Sequence, residues 1–246
     1  MNMTGNTILI TGGGSGIGRA LAEALHARGN KVIIAGRRAD VLEQAAAANP
    51  GMATATLDVA DAADIKRFAA DFLGAHPALN VVVHNAGIMG VENLTAADYD
   101  LGYSEAVVAT NVLGPLRLNA ALLPHLLAQP KATIATVTSG LAFVPLAATP
   151  TYSATKAAMH SWTQSLRHQL KDTNVEVVEI APPGVATDLM PGHADNPASM
   201  PLDDYIAETM AQLEAQAPEN LVERVKFLRF AEARGDYAQV FATLNG

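Results

Sequence analysis

The chain has no cysteine, which excludes disulfides, thiolate metal sites and thiol-nucleophile enzymes. Basic residues are in deficit, with 16 Lys and Arg against 24 Asp and Glu and a net charge of −8. An acidic chain repels phosphate backbones and anionic lipid, so neither nucleic acid nor a membrane is expected as a partner. No stretch approaches about 18 uninterrupted apolar residues, so no membrane span is expected. Met1–Ile10 lacks a basic region and has only a very short apolar run, unlike a secretory leader. A soluble cytoplasmic protein is the resulting expectation. Aromatic residues are scarce, at 5%. Alanine is abundant instead, a mix that suits helices packed closely on a Val/Ile/Leu sheet.

Half of the 246 residues are hydrophobic. That supplies an ample core, and the length suits one domain spanning residues 1–246. Short β-rich runs alternate with Ala/Leu-rich helical stretches. Strands are expected at Thr7–Thr11, Lys31–Ala35, Ala53–Leu57, Asn80–His84, Ala132–Thr138 and Val175–Ile180. Helices are expected at Gly16–Arg28, ended by Gly29-Asn30, and from a capping box of Asp40 and Glu43 as far as Asn49-Pro50. Further helices are expected at Ala62–Phe72, from about Asp98 to Leu127, and at Thr151–Leu170. The alternation implies parallel strands joined by right-handed crossovers and covered by helices on both faces. The fold class is α/β, a three-layer doubly wound sheet with ligand beyond the strand C-termini at the switch point. Pro182 to Pro201 breaks the pattern with prolines, glycines and methionines. It reads as a mobile substrate lid leading into a short helix near Leu202–Ala215, so the lid region covers about 188–216.

Gly12, Gly14, Ser15, Gly16, Ile17 and Gly18 lie between the first strand and the first helix. Glycine lets backbone approach a pyrophosphate, and the helix N-terminus adds N–H donors and positive dipole. The spacing is G-x-x-x-G-x-G rather than G-x-G-x-x-G, but the strand–turn–helix context is the required one. Nucleotide specificity is read at the end of the second strand. NAD binders usually offer a carboxylate there. This chain has Ala35-Gly36-Arg37-Arg38, with no acid before Asp40. A guanidinium pairs bidentately with a 2′-phosphate, so NADP(H) is the preferred cofactor and NAD(H) the weaker alternative. The competing reading is that Arg37 and Arg38 are solvated surface charges.

Tyr152 and Lys156 are four residues apart near a helix start, which puts both on one face. A tyrosine hydroxyl is a poor base at neutral pH, and a neighbouring ammonium favours its phenolate. Taken alone, this pair is common in helices by chance. Ser139 follows the fifth strand, where its hydroxyl can hold a substrate oxygen beside Tyr152 or satisfy local backbone. Asn111 sits within a helix, where a buried amide needs a partner. It can hold a water on the way to Lys156, or bend or cap its helix.

Together these residues resemble the short-chain dehydrogenase/reductase family. T-G-x-x-x-G-I-G at Thr11–Gly18 matches, as do Asp58 at the third strand end and His84-Asn85-Ala86-Gly87 against N-N-A-G. Asn111, Ser139, Tyr152 and Lys156 match the family's tetrad, with the serine thirteen positions before the tyrosine. The resemblance covers about residues 5–190, and Thr138–Phe143 with Ala181-Pro182-Pro183 is similar to its DltE-type branch. It implies a Rossmann sheet of about seven strands in the order 3-2-1-4-5-6-7. It implies cofactor contacts from Asp58, Val59, Asn85, Ala86, Gly87, Tyr152, Lys156, Pro182, Gly184, Val185 and Thr187. It also implies that Ser139 and Tyr152 hold a carbonyl oxygen, and that Tyr152 donates a proton replenished through Lys156 and an Asn111-held water. Three departures stand out. His84 replaces an asparagine, Pro183 adds a second proline, and the usual V-D-G-G ending is missing. Val222–Phe230 is therefore expected to supply the seventh strand.

The substrate wall is expected from Met89, Leu141, Phe143, Val144, Val185, Leu189 and Met190. It is mostly apolar, without an arginine placed for an anion, so neutral hydrophobic ketones or secondary alcohols are expected. With seven histidines but no paired ligand spacing, a metal site is not expected. Two other functions are carried: an epimerase or dehydratase, which usually has a larger substrate domain, and a redox-sensing NADP(H)-binding protein with little turnover. Apolar stripes on more than one face of the helices around Asn111–Leu127 and Tyr152–Leu170 suggest pairing across a two-fold axis. The resemblance likewise implies homodimers or homotetramers.

Overall fold

The computed structural model describes residues 1–246. Seven parallel strands form one sheet in the order β3-β2-β1-β4-β5-β6-β7. They are β1 (Thr7–Thr11), β2 (Lys31–Gly36), β3 (Ala53–Thr56), β4 (Leu79–His84), β5 (Ala132–Val137), β6 (Val175–Ile180) and β7 (Glu219–Asn220). The order reverses where β1 is flanked by β2 and β4, which opens a crevice beyond their C-terminal ends.

Alternation along the strands divides the core. Ile8, Ile10, Ile34, Val81, Val83, Val137 and Val178 face α1 (Gly16–Ala27), α2 (Ala39–Ala47) and α7 (Leu202–Glu214). Leu9, Ile33, Val82, Ile134 and Val177 face α3 (Ala62–Ala75), α5 (Gly114–Leu127) and α6 (Pro150–Leu170). Leu118 of α5 has no exposed surface, and truncation to alanine there costs about 2–5 kcal/mol. By length and composition Gly102–Leu127 is apolar enough to cross a membrane, although Glu105 and Arg117 interrupt it. Its Leu118, Leu122 and Leu126 are instead buried against the sheet as core.

The helix expected from Asp98 begins only at Gly102. It runs as α4 (Gly102–Val108), a π-helical turn at Ala109–Leu113, and then α5. The first helix ends as read, with Gly29 at φ +83°. Asp40 is not a cap: Arg38 holds the N-cap position of α2 without a side-chain bond, and Asp40 lies inside the first turn. Val222–Phe230 is not a strand. It holds α8 (Glu223–Arg229), because Val222 and Val225 repeat at helical rather than alternating spacing and Glu223 pairs with Lys226 one turn on. The seventh strand is the two-residue β7 just before it, in register with Glu179 and Ile180. The chain closes with α9 (Ala231–Arg234) and α10 (Tyr237–Asn245).

The expected lid divides in two. Residues 181–201 carry no regular element beyond a Val185–Met200 bridge. The helical half, α7, is core: Tyr205, Met210 and Leu213 are buried in the same cluster as Leu21 and Leu25 of α1.

Candidate active site

The glycine-rich turn leaves β1 at the switch point, and the loop after β4 lies against it. The Thr11 hydroxyl accepts from the Asn85 and Ala86 N–H groups, each at 3.1 Å. Asn85 Nδ2 donates to the Thr11 and Gly12 carbonyls at 2.9 and 3.3 Å. Asn85 thus locks the two loops together. Gly12 has φ +68°, and a Cβ there would lie 2.9 Å from Ala86 Cα; one at Gly18 would lie 2.4 Å from the Gly12 oxygen. Ser15 makes no side-chain cap on α1. The first N–H groups of that helix therefore keep no side-chain acceptor beside the crevice.

A cavity of about 940 Å³ runs from this turn to α6. All the residues expected to contact a cofactor line it, from Gly12–Gly18 through Arg37, Arg38, Asp58, Val59 and Asn85–Gly87 to Tyr152, Lys156, Pro182, Gly184, Val185 and Thr187. Arg37 and Arg38 are exposed at its rim, and Arg38 Nη2 lies 3.5 Å from Ser15 Oγ. Asp58 turns one carboxylate oxygen back to the Ala60 N–H at 2.9 Å.

Ser139 caps a short 3-10 turn, its Oγ accepting from the Leu141 N–H at 3.1 Å, and it lines the cavity with Tyr152. Burial pushes the Tyr152 hydroxyl up to about 12, and the Ser139 hydroxyl offsets this only in part. Burial likewise pulls Lys156 down to about 8. Its Nζ donates to the Val137 carbonyl at 2.8 Å and lies 5.4 Å from the Tyr152 ring centroid. The expected drop in the tyrosine's pKa beside an ammonium is therefore outweighed by burial. Tyr152 keeps its proton at neutral pH, the form a donor needs.

Asn111 is buried but does not line the cavity. Its Oδ1 accepts from the Ile88 N–H at 2.9 Å, and its Nδ2 donates to the Ile88 carbonyl at 3.0 Å and to Thr155 Oγ1 at 3.2 Å. Both side-chain donor hydrogens are engaged, so the amide clasps Ile88 and Thr155. It ties the loop after β4 to α6 from the π-helical turn, a device frequent at functional sites.

Of the expected substrate wall, Met89, Leu141, Val185, Leu189 and Met190 line the cavity. Phe143 and Val144 do not. Val144 packs with Ala231 and Val240, and Phe143 lies between His160 and Arg229. Their places are taken by Tyr103, His193, Leu228, Thr243 and Leu244. Nothing local in the sequence marks Thr243 or Leu244, which reach the cavity because Val240 packs on Val144 and Asn245 bonds the loop after β5, its Nδ2 donating to the Pro145 carbonyl at 3.2 Å. His84 is buried, its Nε2 has no partner, and burial pulls its pKa down to about 4. His160, Glu179 and Glu219 form an unexpected cluster whose ligand atoms all lie within 4.8 Å of one another.

The sequence pattern of short chain dehydrogenases matches residues 6–197. An uncharacterized oxidoreductase, DltE, of Bacillus subtilis is 42% identical over 249 aligned residues, covering 100% of this chain and 98% of that protein. A short chain dehydrogenase of Burkholderia cenocepacia, solved in complex with NADP, superposes with a TM-score of 0.85 at 24% identity over 99% of both chains. One of Burkholderia phymatum, solved with NAD, gives 0.80 at 22% identity over 98% of this chain and 96% of that one. A full-length relative, a family pattern over most of the sequence and a shared seven-strand topology agree: the chain belongs to the short-chain dehydrogenase/reductase family of oxidoreductases.

Proposed function

We propose that the chain reduces neutral hydrophobic ketones to secondary alcohols with NADP(H), with NAD(H) as a weaker alternative. The observation that carries this reading is the convergence of Ser139, Tyr152 and Lys156 on the same cavity that the glycine-rich turn lines. Gly12 and Gly18, where a Cβ would strike backbone, and the uncapped N-terminus of α1 fit a dinucleotide pyrophosphate. Arg37 and Arg38, at the end of a strand without a carboxylate, favour a 2′-phosphate. When bound, the nicotinamide supplies the hydride.

The chain's own groups do the rest. Ser139 and Tyr152 direct their hydroxyls at the carbonyl oxygen and stabilise its developing charge. Tyr152, protonated at neutral pH, donates the proton. Lys156, brought to about 8, exchanges protons near the working range. Met89, Leu141, Leu189, Met190, Leu228 and Leu244 give an apolar wall. A redox sensor would need the cofactor cradle but not Ser139, Tyr152 and Lys156 converging beside it, which favours turnover.

NADPH consumption measured by absorbance over a ketone panel, with chiral analysis of the alcohols, tests the reading. NADPH binding with no ketone reduced would overturn it. A two-fold homo-oligomer belongs to the same proposal. Exposed Val108, Leu113 and Leu127 along the α4–α5 stretch support it, and a monomer by light scattering at micromolar concentration would remove it.

A further inference from the structure

Glu179 of β6 has no exposed surface, and the chemistry above makes no use of it. A buried carboxylate is costly unless its oxygens are hydrogen-bonded. Here two partners meet it. Thr138 Oγ1 donates to Oε1 at 2.7 Å, and His160 Nδ1 lies 2.9 Å from both oxygens. Gln164 Nε2 lies 3.0 Å from His160 Nε2. An amide nitrogen only donates, so the imidazole proton is assigned to Nδ1 and points at Glu179.

The cluster is closed on its other side. Arg229 donates to Glu219 at 2.7 and 3.3 Å, and its guanidinium stacks 4.8 Å from the Phe143 ring centroid. His160 meets the same ring edge-on at 4.8 Å. A positive charge therefore already occupies the Glu219 side, which leaves no need for a cation.

The two partners of Glu179 are placed tellingly in the chain. Thr138 immediately precedes Ser139. His160 lies one helical turn beyond Lys156 and two beyond Tyr152 on α6. One buried carboxylate thus joins the exit of β5 to the helix that carries Tyr152 and Lys156. We propose that Glu179 is a positioning residue, which sets the separation between Ser139 and the Tyr152–Lys156 pair by holding Thr138 and His160 at once. This rests on the ketone-reductase reading, because that separation matters only if Ser139 and Tyr152 share a substrate oxygen. Hydrogen bonds weaken steeply with misalignment, and a shift of about 1 Å can lower a rate by about 10²-fold.

Four variants test it: Glu179→Ala, Glu179→Gln, Thr138→Val and the double Glu179→Ala/Thr138→Val. Glu179→Ala is expected to lower kcat by about 30-fold or more, leaving ketone KM and NADPH Kd within about threefold. Glu179→Gln keeps an oxygen able to accept from both Thr138 Oγ1 and His160 Nδ1, so kcat should recover to within about threefold of wild type. Thr138→Val, which keeps volume and loses one hydroxyl, should lower kcat about tenfold and add nothing to Glu179→Ala. Folded Glu179→Ala or Thr138→Val with kcat within about twofold of wild type, or full additivity in the double variant, overturns the proposal. If Glu179→Ala does not fold, Thr138→Val decides alone. A rate lost on EDTA and restored by zinc would make the cluster a metal site and also overturn it. If wild type reduces no ketone, the reductase reading fails separately, and the brace is read from hydrogen exchange at the Leu141 amide bonded to Ser139 Oγ. Faster exchange in Thr138→Val supports it; unchanged exchange overturns it.

Discussion

The two ends of this chain hold the site in different ways. Through β6, loops are fixed by backbone-directed bonds from particular residues: Thr11 to Asn85 and Ala86, and Asn111 to Ile88. The C-terminal wall of the cavity rests mainly on packing, with Asn245 of α10 tied to the loop after β5. Its small cluster of Val144, Ala231 and Val240 contrasts with the 26- and 20-residue clusters on the sheet faces. The first arrangement fixes positions to within a hydrogen bond and tolerates little change. The second can be re-formed around a different occupant without disturbing the sheet. On the proposed reading, the glycine-rich turn and the proton-handling side chains sit in the first region, and the second completes the substrate wall with Leu189, Met190, Leu228 and Leu244.

The largest expected effect is in the bonded region. Tyr152→Phe removes the donor hydroxyl and leaves the ring, so turnover should fall by at least about 10³-fold while NADPH binding by fluorescence stays measurable. Near-wild-type kcat would break the division of labour at its centre. A second effect is set by His84. Its folded pKa of about 4 lies below the ordinary 6.5, so the unfolded chain takes up the proton first as pH falls. Stability present above pH 6.5 should be lost progressively down to pH 4, by about 3 kcal/mol in all. Urea midpoints across this range should fall more for wild type than for His84→Asn. Parallel pH profiles for the two proteins would show that the histidine is not the source.

The same contrast explains what the sequence made legible. The alternation of strands and helices and the turn at Gly12–Gly18 follow from local pattern, because each is set by one strand end or one helix face, whereas the strand order and the convergence of Ser139 with Tyr152 and Lys156 are long-range and were legible only through the family resemblance. Asn111 was visible as a buried helix amide, but its partner is the Ile88 backbone, 23 positions away. Spacing does not encode such a partner. Phe143 and Val144 read as pocket because they follow Ser139, yet Arg229 and Val240 claim them from the far end of the chain. Val222–Phe230 read as a strand because the fold needs a seventh, whereas its Val222 and Val225 spacing is helical.

A smaller, roughly tenfold effect is expected at the edge of the bonded region. Gly36→Asp places a carboxylate beside Arg37 and Arg38, and should shift the NADP-to-NAD ratio of kcat/KM toward NAD by about tenfold. An unchanged ratio would mean that the two guanidiniums, exposed as they are, do not read the 2′-phosphate.

The smallest expected effect lies in the packed region and tests its independence. Leu244 is the next-to-last residue of α10 and lines the cavity. It packs on the small cluster rather than belonging to either large one. Leu244→Ala should therefore open the wall without loosening the sheet. Removing its half-buried methyl groups forfeits apolar contact worth about 1–2 kcal/mol to a bulky ketone, raising its KM by about 5- to 30-fold. For acetone, too small to reach that wall, the change should be negligible. NADPH Kd should be the same in both proteins, because Gly12–Gly18 and Asn85 are held by bonds that α10 does not touch. If NADPH affinity falls together with ketone affinity, the two regions are coupled, and the C-terminal helix is part of the cofactor frame rather than a replaceable wall.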